Sequence, residues 1–402
     1  MREKVVLAYS GGVDTSVAIK WIQENYNMDV IALTVDVGNE SDFTVIKQKA
    51  LNAGAIKAIV KDVKNEFVED YIFPALRANA MYQGVYPLAT AIARPLIAKL
   101  LAQTAQEEEA SAVAHGCTGK GNDQVRFEVG IRTFYPSVKI LAPAREWEFK
   151  SREQSIAYAK RHNIPLPVVL EKPFSIDENL WGKAIECSIL ENPMNEAPEE
   201  AFTLTVSVDQ APAQAEYVTI DFEEGLPTAI NSKKMKPLEL INAISALAGK
   251  HGVGRIDHVE DRLVGIKSRE VYESPVGVAL IAAHKALEFL TLSRAQLYFN
   301  QTISNKYADI IYEGLWYSGL KKNLDAYLKD NQKYVTGSVR LKMHKGHCTA
   351  VGRISPYSLY NYDLATYDAA DKFDHSQAEG FIQLFGMASQ LQAQIQPEIK
   401  EK

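Results

Sequence analysis

Three cysteines among 402 residues, Cys117, Cys187 and Cys348, are too few and too scattered for a disulfide framework or a paired redox motif. They point to a reducing compartment. Long apolar runs are missing too. The stretch after Met1-Arg2-Glu3-Lys4 is only about six residues, short of both a signal-peptide core and a membrane span, and nothing longer follows. A cytoplasmic protein with no membrane partner is therefore expected. Excess positive charge is lacking as well: 44 Lys and Arg stand against 50 Asp and Glu, a formal net charge of -6. That argues against the broad basic face a nucleic acid requires, though not against a local basic pocket for a nucleotide or a carboxylate. Neither GxxxxGK[ST] nor GxGxxG occurs, which removes the Walker-type loop and weakens the case for a dinucleotide enzyme. Repeats and low-complexity tracts are also absent.

What remains is an ordinary globular composition, 47% hydrophobic and 23% charged, over a length suited to two domains and a tail. In the first 165 residues two hydrophobic patterns alternate. Val5–Tyr9 is a continuous apolar run, as in a strand buried on both faces, and Asp14–Tyr26 then reads as a helix. Strands follow at Val30–Val37, Lys57–Val63, Ala112–Gly116 and Ile140–Ala142. Helices are expected at Thr44–Ala53, Tyr86–Gln106 and Ser151–Arg161. Alternation of this kind implies parallel pairing with right-handed crossovers, hence an α/β, doubly wound nucleotide-binding domain.

The pattern changes after Pro165, Pro167 and Pro173, which mark a linker. Phe202–Val208 and Tyr217–Phe222 alternate like half-exposed strands, Glu191–Glu200 is a loop, and Leu238–Ala248 is helical. Val335–Arg353 alternates around Lys345-Gly346 as a hairpin. This second region is α+β. Ser376–Ile395 is an amphipathic helix with Phe381, Leu384, Phe385, Ala388 and Leu391 on one side. The domains expected are 1–165, 166–365 and a helical tail, 366–402.

Chemistry concentrates at Ser10-Gly11-Gly12-Val13-Asp14-Thr15-Ser16, between the first strand and the first helix. A doubly wound sheet opens its ligand crevice there, beyond the carboxyl ends of its strands. The glycines let an anion approach the backbone, while Thr15, Ser16 and the first-turn amides donate to it. Hydrogen bonds to a charged group contribute roughly 1.5–3 kcal/mol each, so three or four hold a phosphate without a lysine.

This loop resembles the pyrophosphate loop of the ATP-pyrophosphatase (PP-loop) enzymes, which have the adenine nucleotide alpha hydrolase-like fold. Further segments narrow the resemblance to the argininosuccinate synthase family: Tyr86–Pro95, Ala114–Glu128, Ser175–Gly182 and Gly252–Pro275. The resemblance covers nearly the whole chain. It implies a ligase that joins citrulline and aspartate at the expense of ATP with Mg2+. The ureido oxygen attacks the α-phosphate, pyrophosphate leaves, and the aspartate amine then displaces AMP from a citrullyl-adenylate. It also implies a larger synthetase domain and a C-terminal helix that assembles a homotetramer.

By the same resemblance Ala8, Tyr9, Ser10, Gly11, Gly12, Val13, Asp14, Thr15, Ser16, Val35 and Gly116 line the ATP site, with Asp14 toward the magnesium. Thr118, Asn122 and Asp123 take aspartate. Tyr86, Asn122, Arg126, Ser175, Ala184, Glu260 and Tyr272 take citrulline. Asp14 and Asp123 are the catalytic candidates, and no resident metal site is expected. Arg126 suits a bidentate clamp on a carboxylate, and Glu260 an α-ammonium. Three positions depart from the pattern: Ala184 and Ala91 stand where serine is common, and Val35 replaces an alanine beside the adenine.

Cys117 has no partner cysteine that would make a thiolating enzyme. His344-Lys345-Gly346-His347-Cys348 reads as a turn, not a metal site. Trp316-Tyr317 and Tyr357–Tyr362 read as core or subunit interface. Two alternatives remain open at this point: another ATP-pyrophosphatase ligase or amidotransferase, and a non-catalytic nucleotide-binding descendant.

Overall fold

The computed structural model describes residues 2–39, 41–149, 151–165 and 174–396; Pro167 and Pro173 of the expected linker lie outside them. The chain forms two compact units, Met1–Tyr357 and Ser358–Lys402. The described residues of the first form three sheets. Strands β1 (Lys4–Ala8), β2 (Asp29–Asp36), β3 (Lys57–Asp62), β4 (Ala112–Ala114) and β5 (Lys139–Leu141) pair in parallel in the order β3-β2-β1-β4-β5. Val5, Val6 and Leu7 are fully buried, as their unbroken apolar run requires. The order reverses direction between β1 and β4, so the segments leaving these two strands flank one crevice.

A four-stranded antiparallel sheet carries β6 (Ser175–Asn179) and β7 (Gly182–Glu186). A five-stranded antiparallel sheet begins with β8 (Glu216–Glu223), β9 (Leu226–Ile230) and β10 (Lys233–Lys234). The first of these is completed by β11 (Arg255–Asp261) and β12 (Lys267–Glu273), in the order β11-β12-β7-β6. The second is completed by β13 (Gly337–His344) and β14 (His347–Ile354), in the order β10-β9-β8-β13-β14. Helices Pro237–Lys250, Pro275–Thr291, Arg294–Tyr312 and Gly319–Asn331 complete the core.

The doubly wound domain and the α+β region match expectation. The β13–β14 hairpin turns at Lys345-Gly346, with His344 paired to His347. One expected strand does not form: Phe202–Val208 is irregular. Its backbone donors are taken by a buried carboxylate instead. The N–H groups of Thr203, Leu204 and Thr205 donate to Glu273 at 2.9, 3.0 and 2.9 Å, and the Thr205 hydroxyl does so at 2.7 Å. The helix expected from Tyr86 starts at Ala89, because Leu88 sits at φ 67°. Trp316 is core, stacked on Tyr71, whereas Tyr357, Tyr360 and Tyr362 are exposed. In the second unit, helix Gln377–Ile395 leaves Phe381, Leu384, Phe385 and Leu391 exposed. Among the described residues no helix is long and apolar enough to cross a membrane.

Candidate active site

The loop after β1 is cross-braced by its own side chains. Tyr9 Oη and Ser16 Oγ lie 2.9 Å apart, Ser10 Oγ and Thr15 Oγ1 3.2 Å apart, and Ser16 Oγ donates to Gly12 O at 2.8 Å. Burial pushes the Tyr9 phenol above its ordinary range, so it stays a neutral brace. Gly11 has φ 78°, a conformation that costs any side-chain-bearing residue about 1–2 kcal/mol. Gly12 is the N-cap of helix Val13–Tyr26 and, lacking a side chain, makes no side-chain cap hydrogen bond. Gly116, leaving β4, lies against Thr15: a Cβ there would be 3.2 Å from Thr15 Cγ2. Ala8 ends β1, Val35 is half-buried near the end of β2, and Asp14 is exposed in the first helical turn. The expected nucleotide residues thus gather at the carboxyl ends of β1, β2 and β4.

The second half of the crevice is built around Asp123, first residue of helix Asp123–Phe134. Its Oδ2 accepts from Arg94 Nε at 2.9 Å and its Oδ1 from Arg126 Nη1 at 2.8 Å. Burial alone would raise this carboxyl, but the two guanidiniums outweigh it and hold it at about 2. Arg94 also pairs with Asp177 on β6, tying the antiparallel sheet to the helical layer. Asn122 is fully engaged, donating to Tyr312 Oη at 2.8 Å and accepting from Leu263 N at 2.9 Å. Thr118 is exposed at the loop rim.

Arg126 is 4% exposed. Its Nε donates to Tyr312 O at 2.8 Å and its guanidinium covers the Tyr312 ring at 4.8 Å. Gly314 permits this approach, since a Cβ there would meet Arg126 Cα at 2.7 Å. Among the described residues Arg126 Nη2 has no hydrogen-bond partner. A buried guanidinium nitrogen in that state is a donor awaiting an acceptor.

Glu260, 3% exposed on β11, accepts from Tyr272 Oη at 2.6 Å and Tyr312 Oη at 2.5 Å. Burial pushes its carboxyl up, while the two phenol donors pull it down. The tyrosines are themselves stacked: Tyr86 on Tyr272 with ring centroids 3.8 Å apart, and Tyr82 on Tyr312 at 3.6 Å. Ladder pairing puts Ala184 directly opposite Tyr272 on one side and Asp177 on the other. Since directly paired and alternate residues share a face, Ser175, Asp177, Ala184, Tyr272 and Glu260 all point to one side of the sheet. Ser175 is exposed there.

Sequence reasoning missed Arg94, Tyr82 and Tyr312. The first lay inside a quoted segment without a role. The tyrosines lay where aromatic spacing signals packing rather than a site. Cys117, conversely, is inert: burial pushes its thiol up to about 12.

The chain matches two family descriptions, Arginosuccinate synthase N-terminal HUP domain over residues 4–165 and Arginosuccinate synthase C-terminal domain over residues 174–392. Argininosuccinate synthase of Dehalococcoides mccartyi is 60% identical over 402 residues, 100% of this chain and 99% of the relative. That of Symbiobacterium thermophilum is 56% identical over 396 residues, 98% of each chain. That of Brevibacillus brevis is 53% identical over 394 residues, 98% of this chain and 94% of the relative. Identity at this level over the full length leaves one assignment: the chain belongs to the argininosuccinate synthase family, and it is a ligase.

Proposed function

We propose that the crevice between the Ser10–Ser16 loop and the Tyr86–Tyr272 stack is where this ligase joins L-citrulline to L-aspartate, with ATP cleaved to AMP and pyrophosphate. The observation that carries the reading is the pairing of Arg126 Nη2, a buried donor without an acceptor, with Glu260, a buried carboxylate whose known partners are two neutral phenols. An α-amino acid offers the complement to both: a carboxylate for Arg126 and an ammonium for Glu260. Tyr86 and Tyr272 then wall its aliphatic stem, and Ala184 and Ser175 line the path of the ureido end.

ATP lies along Ala8–Ser16, Val35 and Gly116, its phosphates on the first-turn amides of helix Val13–Tyr26. Asp14 and the loop hydroxyls suit a magnesium ion carried in by the phosphates. Such an ion takes one or two carboxylates from a protein rather than a cage, and no group of three or more candidate ligands occurs among the described residues. Bound there, magnesium would offset phosphate charge. Thr118, Asn122 and Asp123 receive aspartate. A carboxylate held at about 2 is a weak proton acceptor, so Asp123 orients an ammonium rather than deprotonating it.

In this reading residues 1–165 bind nucleotide, 166–365 complete the substrate site and 366–402 join subunits of a homotetramer in the cytoplasm. The exposed apolar side of helix Gln377–Ile395 supports the last point. Pyrophosphate and AMP release from Mg-ATP, with the amino acids supplied singly and together, tests the function. Full release only with citrulline and aspartate together is expected. Tight ATP binding with no release under any combination would contradict it.

A further inference from the structure

Glu186 ends β7 two residues beyond Ala184, and so lies on the substrate-facing side of the β11-β12-β7-β6 sheet, opposite Ser175. From the end of β11, Arg262 reaches over this face. Its Nη2 donates to Glu186 Oε2 at 3.1 Å and to Glu270 Oε1 at 2.6 Å, its Nε to Ser268 Oγ at 2.7 Å, and its Nη1 to Lys120 O at 3.4 Å. The next residue, Leu263, donates its N–H to Asn122. The hairpin therefore sets Glu186 beside the 118–123 loop, near enough for the Asp123 carboxylate to act on it. Its side chain is 42% exposed and that of Glu270 is 7%, so only Glu186 of the two can meet a substrate.

One guanidinium between two carboxylates leaves a negative charge unbalanced, which favours a shared proton. Partial burial first, then the Glu270 carboxylate, push the Glu186 carboxyl above its ordinary range; Asp123 adds to this and Arg262 opposes it. A further titratable neighbour, Cys187, has its thiol raised by burial and by Glu186, Glu191 and Glu270, and stays protonated. A carboxyl pushed upward, toward neutral pH, is better suited to taking a proton from an amine than one held low.

The reaction needs one. Aspartate arrives with its nitrogen protonated and without a free lone pair, and Asp123 is too acidic to relieve it. We propose that Glu186 accepts the proton from the α-ammonium of aspartate in the second half-reaction, an assignment that rests on the substrate reading above. The freed lone pair forms the C–N bond to the ureido carbon. The C–O bond to the adenylate breaks, its electron pair leaving on AMP, whose phosphate oxygen carries off the second amine proton. Glu186 then returns its proton to water.

The test compares wild type, Glu186→Gln and Glu186→Asp. Pyrophosphate formed from ATP and citrulline without aspartate, in a rapid-quench single turnover, reports the first half-reaction. Argininosuccinate formation across pH 5.5–9 reports the second. Glu186→Gln should match wild type within about 2-fold in the first and fall about 100-fold in the second. The wild-type rate should rise with pH along a limb displaced upward from an ordinary carboxylate, and that limb should vanish in Glu186→Gln and return with part of the rate in Glu186→Asp. An unchanged limb in Glu186→Gln, or equal losses in both half-reactions, overturns the assignment of Glu186 alone. Wild type that forms no citrulline-dependent pyrophosphate overturns the substrate reading with it.

Discussion

Arg126 and Tyr312 hold one another across the interior: the guanidinium donates to the Tyr312 carbonyl at 2.8 Å and lies over its ring at 4.8 Å. One residue belongs to helix Asp123–Phe134 and the other to helix Arg294–Tyr312, so the proposed carboxylate clamp exists only where these two helices meet. Arg126→Lys supplies a point charge in place of a fork and cannot serve Tyr312, Asp123 and a substrate carboxylate together. Losing one charged hydrogen bond, about 1.5–3 kcal/mol, raises the citrulline KM about 10- to 100-fold. Glu260→Gln should do the same from the ammonium end. Steady-state kinetics checks both, with ATP affinity unchanged within about 2-fold; unaltered citrulline kinetics in either variant removes that residue from the site.

Asp123 ties folding to acid pH. Its carboxyl is held at about 2 in the folded chain, below its ordinary unfolded value near 3.9. The stabilisation is complete above the unfolded value and is lost as pH falls toward 2. It amounts to about 2–3 kcal/mol. Asp123→Asn should therefore be less stable than wild type at pH 7 in urea unfolding, with the gap narrowing between pH 4 and 2. A gap that persists at low pH would show that the loss is one of packing.

How much was legible beforehand follows from which residues carry periodicity. β1, its loop and the following helix were plain, because a strand buried on both faces is continuously apolar and Gly11-Gly12 ends it abruptly. β6 and β12, reading Ser-Ile-Asp-Glu-Asn and Lys-Ser-Arg-Glu-Val-Tyr-Glu, gave no comparable signal. Their polar side chains face the site, so the alternation that marks a strand against a core is missing. Thr203–Thr205 misled in the other direction, since a strand-like pattern does not reveal that Glu273 captures its amides. Asn122, Arg126 and Glu260 could be named from resemblance. That Tyr312 joins all three depends on pairings more than 50 residues apart in sequence, and no local pattern encodes them.

Ala184 faces Tyr272 across the β7–β12 ladder with only a methyl group to offer. Ala184→Ser adds a hydroxyl on the substrate side, worth about 1 kcal/mol if it bonds the ligand. The citrulline KM should fall about 5-fold with kcat nearly unchanged. No change would mean that water already fills the position.

At Gly11 the φ of 78° and Ile46 Cγ1, 3.1 Å from where a Cβ would sit, both oppose a side chain. Gly11→Ala should lower stability by about 1–2 kcal/mol and weaken ATP binding. Thermal melts with and without ATP check this: a smaller ATP-induced rise in Tm is expected. A full rise would show that the loop tolerates the strain and Gly11 is not needed for phosphate contact.

In the proposed reaction the Ser10–Ser16 loop presents the α-phosphate of ATP to the ureido oxygen of citrulline held by Arg126 and Glu260. Running the complete reaction with citrulline carrying 18O in its ureido group tests it most directly, with AMP read by mass spectrometry. One 18O atom is expected in the phosphate of each AMP formed. AMP without the label would contradict it, because the bond made at the α-phosphate would then have come from another oxygen.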